Sequence, residues 1–180
     1  MSQRDSGYAR KANDEYETPE WVVEAVLPHI PHYGIVPMIW EPACGNGNIV
    51  KVLSDNGYSV HATDAKDGEN FFAFDTDQGC DGIITNPPYT DAATFVEHAI
   101  DLMEPMSGFV LMLLAQDFDS AKGRRFLFED CRPFAKKITL LKRIVWFERK
   151  DGKRAQPSQN HSWYLWDWNH RGAPTLAWAT

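Results

Sequence analysis

The sequence predicts an α/β fold built on a mostly parallel sheet, and three observations carry that prediction. Short apolar runs alternate with segments whose apolar residues recur at spacings of three and four, the pattern of strands joined by helices. The runs at 82–85 and 108–115 read as strands buried on both faces. Three strand ends carry chemically capable residues: Glu41, Asp64 and Asn86. Ligands of open α/β sheets bind beyond the carboxyl ends of the strands, so the Glu41–Gly47 turn, Asp64 and the Asn86–Tyr89 stretch should converge on one crevice.

Length and composition bound the rest. A chain of 180 residues with 43% hydrophobic content is expected to form one domain with a real core. Residues 1–14 are polar and read as a flexible terminus without a signal-peptide core, and residues 15–180 as a single domain. No apolar run approaches the ~20 residues that span a bilayer. The three cysteines are dispersed and odd in number, which points to the cytoplasm rather than to a disulfide framework. The histidines lack metal-ligand spacing, so no metal is expected. The net charge of −7 argues against a polyanionic partner, but residues 120–154 hold twelve Lys/Arg against four acids. Local positive potential captures polyanions more than the global sum does. A solvated face is the plainer reading of such a run.

In chain order, Thr18 followed by Pro19 predicts an N-cap with proline at the first helical position, and the apolar spacing carries that helix to Ile30. A short strand, 38–41, runs into Pro42-Ala43-Cys44-Gly45-Asn46-Gly47 and a helix that ends near Asn56-Gly57. Strand, glycine turn and helix N-terminus form a ligand cradle in α/β proteins. A bare G-x-G is weak; Glu41, four residues before the first glycine, strengthens it. Residues 59–64 alternate and end in Asp64, 19 residues after Gly45, where an acid suits a ribose diol. Asn70-Phe71-Phe72 predicts a third strand. The 82–85 strand delivers Asn86-Pro87-Pro88-Tyr89, in which two prolines fix the backbone and hold an amide, two carbonyls and a ring in set relation. Alone, this is also a common strand-ending turn. An amphipathic helix follows at 95–103, then the 108–115 strand, a helix around 126–128 and a strand at 137–143. A polar loop at 146–160 precedes the last expected strand, 163–168.

Taken together these residues resemble the S-adenosylmethionine-dependent DNA N6-adenine methyltransferases, over roughly residues 16–168. Glu41-Pro42-Ala43-Cys44-Gly45-Asn46-Gly47 looks like the family's cofactor motif, Asn86-Pro87-Pro88-Tyr89 like its catalytic motif, and Tyr16-Glu17-Thr18-Pro19 like the N-terminal motif at the cofactor carboxylate. Their order resembles the gamma arrangement. The resemblance implies a Rossmann-like, class I methyltransferase fold: a seven-stranded sheet with its last strand antiparallel and helices on both faces. It implies that Tyr16 and Thr18 position the methionyl carboxylate. Glu41, Ala43, Gly45 and Gly47 would line the methionine, Asp64 would hold the ribose, and Asn70 and Phe71 would flank the cofactor adenine. The family often has Asp where Asn70 stands.

The implied chemistry suits the residue types. The adenine amino nitrogen is a poor nucleophile because its lone pair is delocalised. The Asn86 side-chain oxygen and the Pro87 carbonyl can accept its two hydrogens, with Pro88 rigidifying the turn and Tyr89 stacking on a flipped base. Trp146 and Phe147 would form the opposite wall, or else pack into the core; Lys122, Arg124 and Arg125 would meet the phosphates. Larger family members carry a separate target-recognition domain, and none of that size is expected here after Trp168. DNA binding through the basic segment, a partner subunit or a homodimer would each suit that absence, and the short form resembles phage-type enzymes acting in a bacterial cytoplasm. The same fold and tetrapeptide also serve adenine methylation in RNA and glutamine-amide methylation in proteins. A non-catalytic subunit retaining the fold is the alternative of another class.

Overall fold

The computed structural model describes residues 17–146 and 159–180. Seven strands form one sheet: β1 (Met38–Glu41), β2 (Ser59–Ala62), β3 (Gly82–Thr85), β4 (Phe109–Ala115), β5 (Phe134–Leu140), β6 (His161–Asp167) and β7 (Thr175–Ala179). Their order is β2-β1-β3-β4-β6-β5-β7. β6 runs antiparallel to both of its neighbours, and every other pairing is parallel. The mostly parallel seven-stranded sheet is therefore as expected. The reversed strand is the 163–168 stretch that the sequence placed last, and β7 follows it as an added edge.

Period-two alternation sorts the core into two layers. Ile39, Ile84, Leu111 and Leu113 face α1 (Glu20–Glu24) and α2 (Asn48–Asp55), which contribute Val22, Val23 and Leu53. Trp40, Ile83, Val110 and Met112 face α3 (Ala92–Met103), which contributes Phe95, Val96, Ala99 and Met103. Helices thus cover both faces. The Trp163 indole N–H donates to the Val22 carbonyl at 3.0 Å, which ties α1 to β6. Gly82 lies across from Phe109 in the β3–β4 ladder, and a methyl group on Gly82 would overlap the phenyl ring.

Four expectations need correction. The first helix is shorter than its apolar spacing implied: α1 covers five residues, its N-cap is Pro19, and no side chain caps it. The Asn70-Phe71-Phe72 stretch is a 3₁₀ turn rather than a strand, because the Asn70 side chain accepts from the Phe72 N–H at 3.1 Å and closes the chain on itself. The helix expected around 126–128 is a 3₁₀ segment, Lys122–Leu127. The 137–143 strand begins earlier and ends at Leu140. No helix among the described residues is long and apolar enough to cross a membrane.

Candidate active site

β1 and β3 run in parallel, so their carboxyl ends meet at one edge of the sheet. Glu41 closes β1 and is fully buried. Its Oε1 accepts the Thr85 hydroxyl at 2.6 Å and the Ala43 N–H at 3.3 Å. Its Oε2 is buried and has no partner among the described residues. Burial pushes the Glu41 carboxyl up to about 8; the Thr85 and Ala43 bonds oppose that, and the nearby Asp64 charge adds to it.

The turn after Glu41 needs its glycines. Gly45 and Gly47 have φ of 53° and 86°, the left-handed region that side chains disfavour. The Gly45 N–H donates to Asp64 Oδ2 at 2.7 Å, and the Lys66 N–H donates to Asp64 Oδ1 at 2.9 Å. Asp64 therefore pins the glycine turn to the end of β2, and the Lys66 ammonium donates to the Gly45 carbonyl. On the other side Asn46 donates to Glu17, and the Asn48 amide donates to the Thr18 carbonyl at 3.2 Å.

These segments enclose a cavity of about 690 Å³. Thr18, Ala43, Gly45, Asp64, Asn70 and Phe71 line it, together with Asn86 and Pro88. Glu41 and Gly47 support the turn without lining the cavity. Phe71 is almost wholly buried, stacked on Phe95 with ring centres 4.3 Å apart. The half-exposed Phe72 stands at the same wall, so it is the more available ring. Sequence reasoning passed over Phe72 and Lys66. For Lys66 a signal existed in its position two residues after a strand-end acid.

Pro87 is buried and Tyr89 lies outside the cavity. The Tyr89 ring stacks on His161 at 5.7 Å and meets Trp146 edge-on at 6.4 Å. Trp146 also packs against the core, as the second of its two sequence readings has it. Tyr16 and Phe147 lie outside the described residues. Of the cations singled out, Arg124 sits 3.9 Å over the Phe118 ring and donates to the Phe118 carbonyl at 3.0 Å. Arg125 pairs with Glu129 and Asp130 at 3.0 and 3.1 Å. Neither they nor the exposed Lys122 line the cavity. Among the described residues no cluster of His, Cys, Asp and Glu is arranged to hold a metal ion.

No protein-family model matches this sequence, and no curated protein matches it. Solved structures share its architecture. A type I restriction-modification system methyltransferase subunit from Streptococcus thermophilus gives a TM-score of 0.54 at 13% identity, over 91% of this chain and 47% of that one. A candidate class I S-adenosylmethionine-dependent methyltransferase from Listeria monocytogenes gives 0.59 at 15% identity, over 88% of this chain and 63% of the other. A candidate RNA methyltransferase from Pyrococcus horikoshii gives 0.52 at 13% identity, over 84% and 85%. The chain spans about half the length of the first of these and under two thirds of the second. The shared feature is the α/β fold of class I methyltransferases.

Proposed function

We propose that this protein transfers a methyl group from S-adenosylmethionine to the N6 amino group of adenine in DNA. One observation carries the reading: Asn86 lines the cavity of the glycine turn, while Tyr89, three residues on, packs in an aromatic set outside it. The tetrapeptide thus stands between a site for a methyl donor and a site for an acceptor.

The cavity fits the cofactor. Its volume is in the range of small-molecule sites, which run to about 300–1,000 Å³. The buried Glu41 Oε2, unpartnered among the described residues, is hydrogen-bonding capacity held beside the turn. Thr18, Ala43 and Gly45, with Tyr16, would hold the methionyl part while Gly47 shapes the turn, Asp64 would hold the ribose hydroxyls, and Asn70 and Phe71 the adenine. When bound, the cofactor supplies an electrophilic methyl on a sulfonium.

The chain supplies orientation and charge. The Asn86 amide oxygen and the Pro87 carbonyl accept the two amino hydrogens of the target and localise the nitrogen lone pair towards the cavity. Pro87 and Pro88 keep that clamp rigid, so the work is positioning and electrostatics; the new N–C bond would form as the methyl–sulfur bond breaks, and the surplus amino proton would then pass to solvent. The target atom is out of reach inside a duplex, so the base is flipped, and Tyr89 with Trp146 and Phe147 receives it. Stacking of this kind contributes ~1–3 kcal/mol per base. Arg124 and Arg125 are engaged with their own neighbours, so phosphate contact begins with Lys122 and the rest of the basic segment. A partner subunit or second copy would add target recognition.

RNA adenine is the second reading, favoured by the fold shared with the Pyrococcus protein. Incubation with methyl-labelled S-adenosylmethionine and DNA, RNA or a release-factor protein in parallel, followed by nucleoside analysis, tests the proposal. Labelled N6-methyladenine from DNA supports it. Label confined to RNA or protein overturns the DNA assignment, and no cofactor binding by calorimetry indicates a non-catalytic subunit.

A further inference from the structure

We propose that His161 is a substrate-contacting residue whose imidazole N–H donates a hydrogen bond to a ring nitrogen of the target adenine; the inference rests on the adenine reading above. β6 runs against its neighbours, so its first residue, His161, pairs with Ala115 at the carboxyl end of β4. That places it at the sheet edge that presents Asn86 and Tyr89. The imidazole stacks on Tyr89 with centres 5.7 Å apart and planes 25° apart, and it meets Trp146 at 5.3 Å and 83°. A stack engages the ring face, whereas imidazole hydrogen bonds lie in the ring plane. The Tyr89 contact therefore leaves both nitrogens uncommitted, and neither Nδ1 nor Nε2 has a partner among the described residues.

His161 is also buried, at 2% exposure for the whole residue. A buried polar group left unpaired is destabilising, and a phenyl ring would fill this space without that cost. An imidazole here keeps hydrogen-bonding capacity for a partner that arrives with the substrate. A base received by Tyr89 is the polar, planar partner nearest at hand. The neutral imidazole has one donor, and adenine ring nitrogens are acceptors.

The test compares wild type with His161→Phe, which keeps the stack, and His161→Gln, which keeps a donor. Each is assayed on oligonucleotides carrying adenine or its 1-deaza, 3-deaza or 7-deaza analogue. In wild type one analogue should lose about tenfold in kcat/KM, the value of one such hydrogen bond. In His161→Phe that loss should vanish and adenine itself should fall by a similar factor. His161→Gln should recover part of the rate, and cofactor affinity should hold in both variants. Wild-type rates from His161→Phe, or an analogue penalty unchanged in it, would overturn the inference. The His161 ring ¹⁵N shift in wild type is independent of any variant's folding. It should move with an adenine oligonucleotide and stay put with an abasic one, and an equal response to both would also overturn it. Wild type that methylates no adenine at all would instead remove the reading on which this rests.

Discussion

The Thr85 hydroxyl donates to Glu41 Oε1 at 2.6 Å, so the last residues of β3 and β1 share one buried hydrogen bond. Thr85 immediately precedes Asn86, and Glu41 immediately precedes the glycine turn. The bond therefore sets the distance between the two elements of the site. Thr85→Val keeps the shape, removes the donor and leaves Oε1 with the Ala43 N–H alone. It should lower stability by about 1–3 kcal/mol, the cost of an unmade buried hydrogen bond. Urea denaturation of Thr85→Val beside Thr85→Ser checks this, with serine, which keeps the hydroxyl donor, avoiding most of the loss.

Stability should depend on pH through two buried groups of opposite sign. Glu41 is raised from 4.5 to about 8, so its contribution is complete below 4.5 and disappears as pH rises to 8. His161 is lowered from 6.5 to about 4 by burial, so its contribution is complete above 6.5 and disappears as pH falls towards 4. Between 4.5 and 6.5 the two slopes oppose each other and the stability should be nearly level. From 6.5 to 8 Glu41 acts alone and the loss should be on the order of 2 kcal/mol. Denaturation curves across this range measure the slope, and Glu41→Gln should flatten the decline above 6.5.

Gly82→Ala should destabilise the sheet centre. The added methyl meets the Phe109 ring across the β3–β4 ladder, and overpacking of this kind costs about 1–3 kcal/mol. Phe109→Leu in the same chain should return part of the loss, which a comparison of urea midpoints reads directly.

Asp64→Ala removes the acceptor of the Gly45 N–H and, in the proposed function, the ribose contact. Cofactor affinity by calorimetry should fall at least about tenfold, one hydrogen bond's worth or more. Transfer at saturating cofactor should change far less.

Much of this architecture was legible in the residues. The apolar runs located β1, β3 and β4, and chemistry at the strand ends foretold that the glycine turn, Asp64 and Asn86 would share one cavity, although Glu41 and Tyr89, expected there too, lie outside its lining. Asn70 to Phe72 misled because a short apolar run does not distinguish a strand from a turn, and the Asn70 side chain decided it by bonding Phe72. β7 escaped notice because its pattern is inverted: Ala177 and Ala179 face the core while Leu176 and Trp178 are 66% and 63% exposed. His161 carried no sequence signal, since its place beside Tyr89 depends on β6 running backwards between β4 and β5.

In the proposed function Asn86, which lines the cofactor cavity, holds the acceptor amine. Single-turnover methyl transfer by Asn86→Ala, measured beside its affinity for S-adenosylmethionine, tests it most directly. Transfer should fall by at least about a hundredfold, as when a transition-state hydrogen-bond partner is removed, with cofactor affinity within a few fold of wild type. Near-normal turnover by Asn86→Ala would rule that role out.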